Sequence, residues 1–193
     1  MQILYKASVD LSQLVIVDMQ TRLIGAMQLE AMQAAIKNCS ILATAAAMLA
    51  VPIVVTEQYP KGLGNTLAEL LTVLADTKAN LKPVEKTTFS CAAEPKFCRQ
   101  LSSDKSQIIL AGMEAHICVL QTALDLLALN GNNAKQVFIV EDAIISRNPS
   151  NKVNAIARLR TAGCIITNTE STLFEWLGKA EGDAFKAISK LIK

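Results

Sequence analysis

The chain has one histidine in 193 residues, five dispersed cysteines with no C-x-x-C pair, eight aromatic residues and a net charge of only +2. Each scarcity excludes something. One histidine without paired thiolates leaves too few soft ligands for a zinc or iron site, so no metal and no cofactor is expected. An odd, scattered set of cysteines is no disulfide framework, and Cys39, Cys91, Cys98, Cys118 and Cys164 read as reduced thiols. Scattered lysine and arginine make no basic stripe, and few aromatics are available for base stacking, so no nucleic-acid partner is expected. No apolar run reaches the roughly 18 residues of a membrane span, and the opening MQILYKASVD lacks a signal-peptide core. No membrane partner and a cytoplasmic location are the expectation. The sequence also lacks G-x-G-x-x-G, a P-loop and G-x-S-x-G, which removes the usual dinucleotide, nucleotide and serine-hydrolase signatures.

What remains is apolar. About half the residues are hydrophobic, enough for one sizeable core, and residues 1–193 read as a single domain. Short apolar runs recur at Leu14–Val17, Ile53–Val55, Ile108–Ala111, Val137–Val140 and Ile165–Ile166, as strands buried on both faces would. Helical spacing fills the intervals Met27–Ala50, Leu67–Leu74, Ile117–Leu129 and Val153–Ala162. Asn148–Pro149 suits a helix start, and Gly131 and Gly163 suit helix ends. The alternation predicts an α/β fold: a three-layer αβα sandwich, a mostly parallel Rossmann-like sheet with helices on both faces.

In such sheets ligands gather beyond the carboxyl ends of the strands. There the apolar runs end in Asp18, in Thr56 and Glu57, in the turn Gly112–Cys118, and in Glu141 and Asp142. Two irregular stretches follow, Glu57–Thr66, where Pro60, Gly62 and Gly64 oppose an early helix, and Leu81–Pro95, which carries Lys86. Cys118 falls at the first turn of a helix, where unpaired N–H groups and the dipole favour thiolate and can bind an oxyanion. Its base is the next question. His116 is two residues away, a spacing that points side chains apart. Asp18, at the end of a buried strand, is the better candidate, although a carboxylate there also suits a helix cap or loop anchor.

Four segments in order, LVIVDMQ (14–20), VVTEQYPKGLGNT (54–66), EKTTFSC (85–91) and LAGMEAHICVLQTALDLL (110–127), resemble the isochorismatase-like, or cysteine hydrolase, superfamily from about Leu14 to Glu170. TEQYPKGLG and GMEAHIC resemble the branch of isochorismatase-domain-containing proteins. The resemblance implies a catalytic triad of Asp18, Lys86 and Cys118. It also implies a cis Met113–Glu114 peptide, an oxyanion hole from the N–H groups of Glu114 and Cys118, and Gln58, Tyr59 and Phe89 near the substrate. It further implies a small-molecule substrate and a homo-oligomer, a dimer or higher. The metal cluster of nicotinamidases has no counterpart in TEQYPKGLGNT, and a cysteine nucleophile favours cleavage of a small carboxamide or related C–N bond. Three other readings stand beside it: a non-enzymatic homo-oligomeric interaction protein, an isochorismatase-type ether hydrolase, and a redox-sensing thiol protein.

Overall fold

A computed structural model describes residues 5–75, 82–131 and 134–192. Six strands form one parallel sheet: β1 (Ser12–Val17), β2 (Ile53–Gln58), β3 (Val84–Lys86), β4 (Gln107–Met113), β5 (Gln136–Ile145) and β6 (Ile165–Thr167). Their order is β3-β2-β1-β4-β5-β6. The helices are α1 (Leu29–Met48), α2 (Pro60–Leu63), α3 (Ala68–Ala75), α4 (Pro95–Gln100), α5 (Leu120–Leu127), α6 (Pro149–Ala162), α7 (Thr169–Leu177) and α8 (Gly182–Leu191).

Alternation along β1 explains the three layers. Leu14 and Ile16 point into a core formed with α1, α3, α7 and α8, whereas Val15 and Val17 point into a second core formed with α4, α5 and α6. Because both faces are covered, every residue of β1 and β4 is buried, and the strands read as continuous apolar runs. The chain leaves β1 in one direction for β2 and β3, then returns to the other side of β1 as β4. The carboxyl ends of β1 and β4 therefore flank the switch point where a crevice forms. Gly112 permits the close approach there: paired with Val17 at φ 113°, it would put a Cβ 2.1 Å from the Val17 carbonyl oxygen.

Several expectations need correction. The stretch 57–66 is not wholly irregular, because β2 runs on to Gln58 and Pro60–Leu63 makes one helical turn, with proline at the first position where its missing N–H costs nothing. β5 does not end at Glu141 and Asp142. A register shift opposite Leu110–Gly112 bulges the strand there, and it continues to Ile145. Asp142 instead accepts from the Thr169 N–H (2.8 Å) and Oγ1 (2.9 Å) at the start of α7. Lys86 lies on β3 rather than in a loop, and Leu81, where that stretch was expected to begin, lies outside the described residues. At α6 the expected start holds, with Asn148 accepting from the Ser150 N–H, and Gly163 closes the helix at φ 100°. Among the described residues no helix is long and apolar enough to cross a membrane.

Candidate active site

Asp18 follows the last residue of β1 with φ 49°, fully buried. That left-handed turn brings its N–H to the Thr56 carbonyl (3.2 Å) and Thr56 Oγ1 (3.3 Å) on β2. Thr56 Oγ1 in turn donates to Asp18 Oδ1 at 2.6 Å. Lys86 reaches the same carboxylate from β3, its Nζ 2.7 Å from Asp18 Oδ2, with neither side chain exposed. Nζ also donates to Gln58 Oε1 (2.6 Å), the register partner of Lys86 on β2, and to the carbonyls of Thr88 and Phe89 (3.2 Å each). Four acceptors share three protons, so the ammonium is pinned from all sides.

Cys118 enters from β4. The chain leaves the strand through a cis Met113–Glu114 peptide, at the bond implied by the resemblance, and makes a π-helical turn, Ala115–Val119, before α5. The N–H groups of Ile117 (3.0 Å) and Val119 (3.3 Å) both converge on the Glu114 carbonyl. Local π-turns of this kind occur frequently at functional sites. The turn is tied to the end of β5: Glu114 Oε2 accepts from the Arg147 N–H at 2.9 Å, and His116 Nδ1 lies 3.0 Å from Ser146 Oγ. His116 is thus turned to β5, in keeping with its spacing from Cys118.

The expected bias toward thiolate at Cys118 is overturned. Burial raises its pKa, followed by the negative charge of Asp18 and a hydrogen bond to that carboxylate; the positive charge of Lys86 opposes them without prevailing. The resting group is a thiol beside a carboxylate. For Lys86, burial pulls the pKa down, but the charge of Asp18 and the neighbouring thiols of Cys91 and Cys118 outweigh it, and the net direction is up.

The structure brings Asp18, Lys86 and Cys118 together and treats the three residues expected near substrate differently. Both ends of the Gln58 amide are engaged, Oε1 by Lys86 and Nε2 by the Thr87 carbonyl at 2.9 Å. Gln58 therefore braces the lysine. Tyr59 (54% exposed) and Phe89 (56% exposed) are open to solvent. Tyr59 lines a cleft of about 340 Å³ with Lys61, Glu85, Lys86, Glu94 and Lys96. Phe89 meets the triad through its carbonyl on Lys86.

Three residues were missed by sequence reasoning. Cys91, fully buried, donates to Thr56 Oγ1 at 3.7 Å, and Thr56 is itself on Asp18. Burial and the charge of Asp18 raise the Cys91 pKa to about 11. Ser90 Oγ is the one buried side-chain polar atom without a partner among the described residues. Cys91 stands in EKTTFSC, but nothing local distinguishes it from an inert core thiol, and Thr56 shows only as the polar end of a strand. Among the described residues, no group of three or more His, Cys, Asp or Glu side chains is placed to hold a metal ion.

Sheet order and switch point define a three-layer α/β protein with a buried Asp–Lys–Cys cluster at the carboxyl edge of β1, β3 and β4. The chain belongs to the isochorismatase family, whose domain model matches residues 12–171. It is 38% identical over 161 residues to a secreted isochorismatase effector of Phytophthora sojae, covering 82% of this chain and 74% of that one. It is 39% identical over 150 residues to human isochorismatase domain-containing protein 2, covering 77% and 67% of the two chains. Among solved structures it is similar to the MAR1 ribonuclease of Caenorhabditis elegans, with a TM-score of 0.87 and 33% identity over 97% of this chain and 92% of that one.

Proposed function

We propose that this family member is a metal-independent cysteine hydrolase that cleaves a small carboxamide or related C–N bond. The observation that carries the reading is the buried Lys86–Asp18 pair, with the buried Cys118 thiol close enough to feel the charge of both. A raised thiol pKa means that attack cannot draw on a standing thiolate. The proton passes to Asp18 as sulfur bonds to the carbonyl carbon, and the C=O electron pair moves to oxygen, towards the N–H groups of Glu114 and Cys118. Collapse breaks the C–N bond, and the proton on Asp18 leaves with the nitrogen as ammonia or amine. Water, losing a proton to Asp18, then attacks the thioester; the acid departs and that proton returns to sulfur. Lys86 stays protonated throughout and holds the carboxylate in place. Tyr59 and Phe89, both exposed, are the candidate substrate contacts, and the buried Ser90 hydroxyl has no partner among the described residues.

Ammonia release from a panel of small carboxamides tests this, with an RNA oligonucleotide and a vinyl ether in the same panel. Turnover is expected on an amide, insensitive to EDTA and lost in Cys118→Ala with the circular dichroism spectrum unchanged. Turnover that survives Cys118→Ala, or that EDTA abolishes, overturns the assignment.

A further inference from the structure

The cluster holds a second thiol and a hydroxyl to which the steps above give no part. Thr56 Oγ1 has one proton to donate and two lone pairs. The Asp18 N–H, at 3.3 Å, and the Cys91 thiol, at 3.7 Å, both donate to that oxygen. With its acceptor capacity taken, its own proton has one acceptor to meet, Asp18 Oδ1 at 2.6 Å. The hydroxyl therefore has a defined polarity. Lys86 holds the other oxygen, Oδ2, so the two bonds together set the plane of the carboxylate that faces Cys118.

Resting on the hydrolase reading above, we infer that Thr56 is a positioning residue for the base, and that Cys91 acts through it by keeping the hydroxyl pointed at Asp18. Cys91 is not a second nucleophile in this arrangement. It is buried, its thiol is engaged with Thr56, and its own N–H donates to Thr122 Oγ1 on α5 at 2.8 Å, which locks it in place. The geometry also accounts for a thiol among charged groups whose burial keeps it neutral, since only the protonated form can donate to Thr56.

Acrylamide is a probe that needs no knowledge of the substrate. Sulfur bonds to its β-carbon, the alkene electron pair moves to the α-carbon, and the thiol proton, held meanwhile by Asp18, ends on that carbon; nothing leaves. Adduct formation at each cysteine is followed by peptide mass spectrometry from pH 4 to 9, with exposed Cys98 as the internal reference and thermal melts as the control for folding. Thr56→Val should slow the Cys118 reaction on the order of tenfold, the loss of one charge-assisted hydrogen bond. The acid limb of its pH profile should move to higher pH, because a donated hydrogen bond favours the charged carboxylate. Thr56→Ser should restore both rate and limb. Cys91→Ala should give a smaller loss in the same direction. If Thr56→Val does not fold, Thr56→Ala carries the same expectation. A wild-type rate and profile in the folded hydroxyl-less variant, while Asp18→Asn loses the reaction, overturns the role of Thr56 and leaves the hydrolase reading standing. An unchanged Cys91→Ala overturns the role of Cys91. If wild-type Cys118 reacts no faster than Cys98 and Asp18→Asn changes nothing, both the inference and the hydrolase reading fall.

Discussion

Lys86 Nζ sits 2.7 Å from Asp18 Oδ2 across 68 residues of sequence, and neither side chain is exposed. Burying two charges is unfavourable on its own, and mutual attraction with full hydrogen bonding repays it only when both partners are present. Asp18→Leu and Lys86→Met should therefore each lower stability by about 3–5 kcal/mol, since each strands one charge in the interior. The double change Asp18→Leu with Lys86→Met should recover most of that loss in urea denaturation while Cys118 loses its reactivity. Additive losses in the double variant would show that the pair is not coupled.

Gly112 bears on the same site from the other side of β1. A side chain there meets the Val17 carbonyl at 2.1 Å and the Val17 nitrogen at 2.6 Å, with φ at 113°. Neither neighbour is a flexible side chain, so β4 must move away from β1 to make room. Gly112→Ala should cost more than about 2 kcal/mol, beyond the ordinary strain of a non-glycine residue in such a conformation. Denaturation midpoints measure the loss. A fall in the acrylamide reactivity of Cys118 in the fraction that stays folded would show that the cysteine turn has shifted with the strand.

The parallel sheet was legible because burial on both faces turns β1, β2, β4 and β5 into uninterrupted apolar runs, and Asp18 and Cys118 stand at the ends of two of them. β3 was hidden by its length: Val84-Glu85-Lys86 has too few residues to show a period, and its single exposed residue, Glu85, looks like loop chemistry. The continuation of β5 was hidden for a different reason. Glu141 and Asp142 read as a strand end, whereas a bulge lets both sit part-exposed within the strand. The partnership of Lys86 with Asp18 came through family resemblance. The link between Thr56 and Cys91 depends on the side-by-side placement of β2 and the segment after β3, which no local pattern encodes. The expected thiolate at Cys118 failed because helix-end electrostatics were weighed without burial.

Glu114 and Arg147 separate a backbone contact from a surface ion pair. Glu114 Oε1 lies 3.4 Å from Arg147 Nη2, but the arginine side chain is 56% exposed, so solvent screens that interaction. Glu114 Oε2 holds the Arg147 N–H at 2.9 Å, and the Glu114 side chain is 92% buried. Arg147→Ala should thus change stability by less than about 1 kcal/mol. Glu114→Ala should cost about 1–3 kcal/mol, because it removes the acceptor of a part-buried N–H. Equal losses in thermal melts would place the weight on the ion pair instead.

Alkaline pH should unfold this protein through its thiols. Burial raises Cys39 and Cys164 to about 12 and Cys91 to about 11, each from an ordinary value of 9.0, and it raises Cys118 as well. A thiol whose pKa is higher in the folded state keeps its proton there while the unfolded chain gives it up. Its stabilising contribution is complete below pH 9 and is lost as pH rises through the folded value. Lys86, also raised, adds a loss of the same sign from about pH 10.5 upward. The urea midpoint should be flat from pH 7 to 8.5 and then fall, with each such thiol contributing up to about a tenfold drop in the folding equilibrium constant per pH unit. Cys39→Ala should flatten the decline, since Cys39 is buried in α1 away from the active site, its thiol 3.4 Å from the Ala143 carbonyl. A midpoint that holds level to pH 10.5 would mean that the buried thiols ionise in the folded protein as readily as in the unfolded chain.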